Sequence, residues 1–294
     1  IRRMIKETDG DRFEEMRSLN QELSFEAATK EFQLRNVEFG PQQMRTLKLI
    51  DGNGLYTNLA LLLSDQCVHT VKVAVFQGSD QAVFKDRREF TGSLMKQMNE
   101  AYEFIDFRNQ TQATIEKLLR IDVRDYPEIA VREALLNLMV HRDYSFSASA
   151  LINIYEDRIE FVSVGGLVPG IELEDVMIGL SMCRNQALAN VFYRLHLIEA
   201  YGTGIGKIIK AYEGMSEKPV IETTKNAFKI TLPNVNAKCE KAVEKASLEI
   251  DTSGPVVEKQ TYNNETRLLE YLKEHDRITR TDVESLLGVS ASTA

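Results

Sequence analysis

Cysteine is scarce in this chain: Cys67, Cys183 and Cys239 are the whole supply, odd in number and far apart. That argues against a disulfide framework and against a zinc site. Four scattered histidines give no metal-ligand spacing. No apolar run is long enough to cross a bilayer and no stretch reads as a signal peptide. No membrane partner is expected, and a reducing cytoplasm is the expected setting. Basic charge is short as well. Lys and Arg number 36 against 44 Asp and Glu, a net charge of -8, so any DNA contact must come from a local patch. The P-loop pattern G-x-x-x-x-G-K-[ST] is missing, which speaks against motor translocation. There is no internal repeat.

What is there is an ordinary globular mix. The length of 294 residues allows two or three domains. The chain opens at Ile1 in a charged, helix-compatible segment, 1–18, and reads as a piece of something longer. Residues 24–65 are mostly helical in pattern, with Pro41 at a helix start, a turn at Asp51-Gly-Asn-Gly, a short strand at 55–57 and an apolar helix at 59–63. A β-branched run at 71–77 fits a buried strand. Residues 86–90 lead into an amphipathic helix at 93–107. Pro127 opens a helix over 128–142. Strands at 151–155 and 158–164 meet at Glu156-Asp157, and Gly165-Gly166 follows. Helices are expected at 172–180 and 185–199, a glycine turn at 201–206 opens another, and a strand at 227–232 ends at Pro233. Residues 234–262, rich in Lys, Glu, Ser, Thr and Gly with Pro255 inside, read as an exposed linker before two or three short helices.

Two features carry chemistry. In the helix at 128–142, Glu133, Asn137 and His141 stand at i, i+4 and i+8, one above the other. A carboxylate there can polarise a water, and a carboxamide oxygen one turn on can ligate Mg²⁺, a hard cation. Taken alone, the stripe reads as a solvated helix face. The second feature is Tyr201-Gly-Thr-Gly-Ile-Gly-Lys ahead of a helical pattern. Glycines at a helix N-terminus let backbone N–H groups approach a phosphate. Taken alone, it reads as a plain loop.

In order along the chain the parts are more specific. Arg132 to Ser145 (R-E-A-L-L-N-L-M-V-H-R-D-Y-S), Asp157-Arg-Ile-Glu-Phe, Gly165-Gly-Leu-Val-Pro-Gly, Arg184-Asn-Gln-Ala-Leu-Ala and Leu197-Ile-Glu-Ala-Tyr-Gly-Thr-Gly-Ile follow one another. This set resembles the bacterial transcriptional regulators of the ATP-dependent DNA helicase RecG C-terminal family, over about residues 50–233. The resemblance implies an α/β (α+β) fold of GHKL (Bergerat-like) type: a two-layer sandwich with flanking helices and a C-terminal helix-turn-helix segment. It implies ATP and Mg²⁺ as cofactors, Glu133 as general base and Asn137 as both cofactor contact and metal ligand. Gly202, Thr203, Gly204 and Gly206 would face phosphate. Gly165 and Gly166 would form the first glycine box, and Arg184 and Asn185 would sit in the lid. Ser163 stands where this type of site carries an adenine-reading Asp. A serine can accept a hydrogen bond from an amine but brings no charge.

The domains expected are a remnant of a Schlafen AlbA-type domain at 1–18, a connecting region at 19–126, the GHKL-like domain at 127–233, the linker at 234–262 and a truncated winged helix at 263–294. In the last, Val283, Leu286 and Leu287 would bury the second helix, with Gly288 in the turn. Ser290 would N-cap the recognition helix, which would reach DNA through Ser290, Ser292 and Thr293. The expected protein is a dimeric, DNA-binding transcriptional regulator whose nucleotide domain acts as switch or dimerisation module. Its alternatives are a DNA-stimulated ATPase, weak at most, or a scaffold without ligand.

Overall fold

Short β-rich segments come together in one mixed sheet. In this computed structural model, which describes residues 13–199 and 201–237, the strands are β1 (Val71–Phe76), β2 (Phe84–Phe90), β5 (Ala150–Ile154), β6 (Arg158–Val164), β7 (Val220–Thr223) and β8 (Ala227–Pro233). Their order is β2-β1-β5-β6-β8-β7, with β1 and β5 parallel and every other neighbour antiparallel. A parallel pair needs a long crossover. Between β1 and β5 that crossover holds β2, the helix α4 (Leu94–Arg108), a separate hairpin of β3 (Thr111–Glu116) and β4 (Leu119–Arg124), and the helix α5 (Glu128–Val140).

Strands β6 and β8 alternate buried and half-buried positions along their whole length. Ile159 and Phe161 on β6, with Phe228, Ile230 and Leu232 on β8, point into the core, where α5 lies across both strands. α5 also packs on α4 and on the helix α8 (Gly204–Ala211). It is therefore buried nearly all round, from Ala130 to Val140, rather than amphipathic. The reading of its polar stripe as a solvated face does not hold for Glu133, which is only 8% exposed.

The N-terminal part adds α1 (Glu26–Leu34), α2 (Pro41–Thr46) and α3 (Asn58–Leu63), with Pro41 at the head of α2 and the Thr57 hydroxyl capping α3. Ahead of them, a single 3-10 turn at Phe13–Glu15 carries Glu14, which is 3% exposed. Its carboxylate accepts the backbone N–H groups of Ala187 (2.6 Å) and Leu188 (2.8 Å), the first turn of α7 (Gln186–Arg194). Burial raises the Glu14 pKa, and these two hydrogen bonds oppose the rise. Glu14→Ala strands two buried amides and should cost about 2 kcal/mol, read as a lower urea midpoint at unchanged slope. An unmoved midpoint would show that the contact contributes nothing.

Several expectations need correction. The strand at 55–57 is only a pair of isolated bridges, Arg17 to Thr57 and Ile50 to Tyr56. β2, the β3–β4 hairpin and β7 stand where no strand was expected. The helix beginning at 128 ends at Val140, that at 172 contracts to α6 (Leu173–Met177), and α7 stops at Arg194. A boundary at 127 would cut the sheet, because β1 and β2 come from upstream of it. Residues 1–12, the linker beyond 237 and the helix-turn-helix segment with Ser290, Ser292 and Thr293 lie outside the described residues.

Candidate functional site

α5 and the head of α8 meet tightly because residue 204 is glycine. A Cβ on Gly204 would come within 3.2 Å of Glu133 Oε2. Beside this junction lies a cavity of about 640 Å³, within the size range of ligand pockets. α5 contributes Glu133 and Asn137 to its wall and His141 follows at its end, Gly202, Thr203 and Gly204 contribute from the turn into α8, and Gly165, Gly166 and Arg184 line it as well. α7 presents Gln186, Asn190 and Tyr193, one helical face.

The first glycines are there for close backbone packing. Gly165 has φ +100°, and a Cβ on it would lie 2.8 Å from Asp143 Cβ. A Cβ on Gly166 would lie 2.1 Å from the Thr224 carbonyl oxygen. Gly202 (φ +66°) fits under the segment at 179–181, where a Cβ would meet Ser181 Cβ at 2.6 Å. The chain between the two glycine pairs thus lies against the turn at the head of α8.

Charge is concentrated at that turn. Glu133 pairs with Arg132, whose other guanidinium nitrogen donates to the Leu197 carbonyl. Lys207, in the first turn of α8, lies 4.0 Å from Glu133 Oε1 and 2.9 Å from Glu199 Oε1. The Thr203 hydroxyl donates to the other Glu199 oxygen at 3.0 Å. Lys207 first, then Thr203, hold Glu199 below the usual carboxylate range. At the far side Arg184 donates to the Gly166 carbonyl (3.1 Å) and lies 3.6 Å from Asp143 Oδ2. Burial, with the Arg184 charge adding to it, pushes His141 down to about 4, so it is neutral at pH 7. Burial pushes the Cys183 thiol up to about 11, which leaves it protonated.

Of the sequence-derived site residues, Glu133, Asn137, Gly165, Gly166, Arg184, Gly202, Thr203 and Gly204 come together around this cavity. Three fall outside its lining. Ser163, 2% exposed, has the same strand parity as Ile159 and Phe161 and faces the packed core. Asn185, also 2% exposed, donates its amide to the Val140 (2.8 Å) and Arg142 (2.7 Å) carbonyls and so closes the C-terminus of α5. Gly206 is in α8 with open space where its Cβ would be. The motif reading passed over Arg132, Glu199 and Lys207, and also the α7 face, whose spacing at 186, 190 and 193 was legible as helical periodicity. Arg142, just past the end of α5, is fully buried and donates to the Thr70 (3.0 Å) and Ala148 (2.6 Å) carbonyls.

The donor set fits a nucleoside polyphosphate with Mg²⁺. Asn137 offers a hard oxygen, and the head of α8 offers backbone amides. Among the described residues no group of three His, Cys, Asp or Glu converges as a metal cluster.

No curated protein matches the chain. Among solved structures, the DIP2311 protein from Corynebacterium diphtheriae is similar in fold, with a TM-score of 0.66 at 20% identity. The match covers 99% of this chain and 60% of that one, so this chain spans less than two thirds of that chain's length. The family model described as "Putative ATP-dependent DNA helicase recG C-terminal" matches residues 148–232. That stretch holds β5, β6, both glycine turns, α7, α8 and nearly all of β8, while Glu133 and Asn137 lie just ahead of it. Residues 148–232 are therefore similar to the ATPase-like RecG C-terminal domain.

Proposed function

We propose that this protein binds a nucleoside triphosphate with Mg²⁺ in the cavity between α5 and α8, as the switch of a DNA-binding transcriptional regulator. The observation that carries the reading is the convergence of Glu133 and Asn137 with the 202–204 turn on one cavity of about 640 Å³. Asn137 would ligate the cation through its amide oxygen. The head of α8 would take the phosphates through backbone N–H groups and the helix dipole. The chain from 167 to 183, which supplies much of the remaining wall ahead of the packed Asn185 and α7, would order on the ligand as a lid. Ordering of a segment by bound phosphate is an established kind of switch. Reading of DNA by the C-terminal helix-turn-helix, and a dimer that sets its spacing, complete the proposal.

Binding with slow turnover fits the charges better than fast hydrolysis. A general base needs a free lone pair near the attacking water. Glu133 instead faces two cations, Arg132 and Lys207. Saturating Mg-ATP, at about a hundred times its Kd, should stabilise the protein by about 2.7 kcal/mol. That corresponds to a rise in Tm of roughly 5–10 °C. Asn137→Ala and Gly204→Val should lose most of the rise. A wild-type melting curve that ignores Mg-ATP would remove nucleotide from the account.

A further inference from the structure

We propose that Glu199 is an internal competitor for phosphate: its carboxylate holds Lys207 and Thr203, and a bound polyphosphate takes both over. The inference rests on the nucleotide reading above, and it adds a residue pair that sets affinity at that site.

Two groups that suit a phosphate oxygen converge on this one carboxylate: the Lys207 ammonium at 2.9 Å and the hydroxyl of Thr203, the residue just ahead of α8, at 3.0 Å. Glu199 itself lines the cavity, yet its side chain is 56% exposed. An exposed carboxylate–ammonium pair is weak, because water screens it and two flexible chains must be held. A polyphosphate carries several charges and several acceptor oxygens, so it outcompetes one carboxylate for the same donors. Lys207 does not itself line the cavity, but both carboxylates beside it do: Glu199, and Glu133 at 4.0 Å, which remains as a second anchor while the partner changes. When Glu199 is displaced, nothing in its own burial resists the move. The exchange is anion for anion at a fixed cation.

The test uses the full chain with tripolyphosphate, Mg-ATP and adenosine as probes, titrated calorimetrically against wild type, Glu199→Gln, Lys207→Met and Lys207→Arg. Glu199→Gln frees the lysine and should tighten tripolyphosphate and Mg-ATP by about threefold. Lys207→Met should weaken both by about tenfold and flatten their salt dependence, with Lys207→Arg recovering part of the loss. Adenosine affinity should not change in any variant. All three changes lie on exposed or half-exposed side chains, and a Tm within a few degrees of wild type confirms folding. Wild-type binding of Mg-ATP with both Glu199→Gln and Lys207→Met unchanged overturns this proposal and leaves the nucleotide reading standing. A wild-type chain that binds neither phosphate probe overturns both.

Discussion

Gly166→Ala will destabilise the protein by about 3 kcal/mol or more, while Gly206→Ala will stabilise it by about 1 kcal/mol. The two glycines belong to motifs that look alike in sequence, and their surroundings give them opposite signs. A Cβ on Gly166 would sit 2.1 Å from the Thr224 carbonyl oxygen and 3.0 Å from the carbonyl carbon and oxygen of Lys225. These are backbone atoms of the turn between β7 and β8, so no side-chain rotation relieves the clash. Either that turn or the exit of β6 must move, and Gly166 also accepts the Arg184 guanidinium hydrogen bond. At Gly206 a Cβ would meet nothing within 4 Å, and the residue is inside a helix, where alanine lowers the entropy lost on folding. Urea unfolding of both variants reads the difference as midpoint shifts of opposite sign. Two midpoints that fall together would mean that Gly206 has a role its surroundings do not reveal.

Acid will weaken the fold through His69. This side chain is 4% exposed, stands edge-on to the Phe13 and Tyr144 rings, and has no hydrogen-bond partner at Nδ1. Burial, helped by the nearby Arg142 charge, pushes it down to about 4 from 6.5. The folded pKa lies below the unfolded one, so on acidification the unfolded chain takes up the proton first. The stabilisation is whole above pH 6.5, declines as pH falls towards 4, and is gone below that. A shift of this size corresponds to about 3 kcal/mol. His69→Leu should flatten this part of the stability–pH curve, leaving the share due to His141, which burial also pushes to about 4. Equal slopes for wild type and His69→Leu would show that His69 is solvated in solution.

Much of the fold was legible because its signals are local. The apolar spacing of α4 and α5, the β-branched run of β1, the Glu156-Asp157 link between β5 and β6, and Pro41 and Pro233 at element ends each act within a few residues. Of the strands that escaped notice, β4 (Leu-Arg-Ile-Asp-Val-Arg) did carry a legible alternation, whereas β2 lacks that signal. β2 reads Phe-Lys-Asp-Arg-Arg-Glu-Phe and is exposed at every position but the last, because it is an edge strand, where charge protects against further pairing. β3 and β4 pair only with each other, and most of their side chains face solvent. Ser163 is a different case. Its parity with Ile159 and Phe161 already placed it on the packed face, and alignment to a motif outweighed that alternation.

The sequence alone determined which residues form the helices and central strands, and it supplied the Glu133, Asn137 and 202–204 constellation, since periodicity, turn chemistry and motif order are properties of neighbours along the chain. The tertiary structure alone decided that Glu133 is buried and faces two cations, that Asn185 and Glu14 serve as caps, and that Glu199 and Lys207 meet at the cavity edge. Those outcomes depend on close approach between segments as far apart as Glu14 and Leu188, or on a side chain's depth in the packed core. Neither distance nor depth is encoded in local spacing.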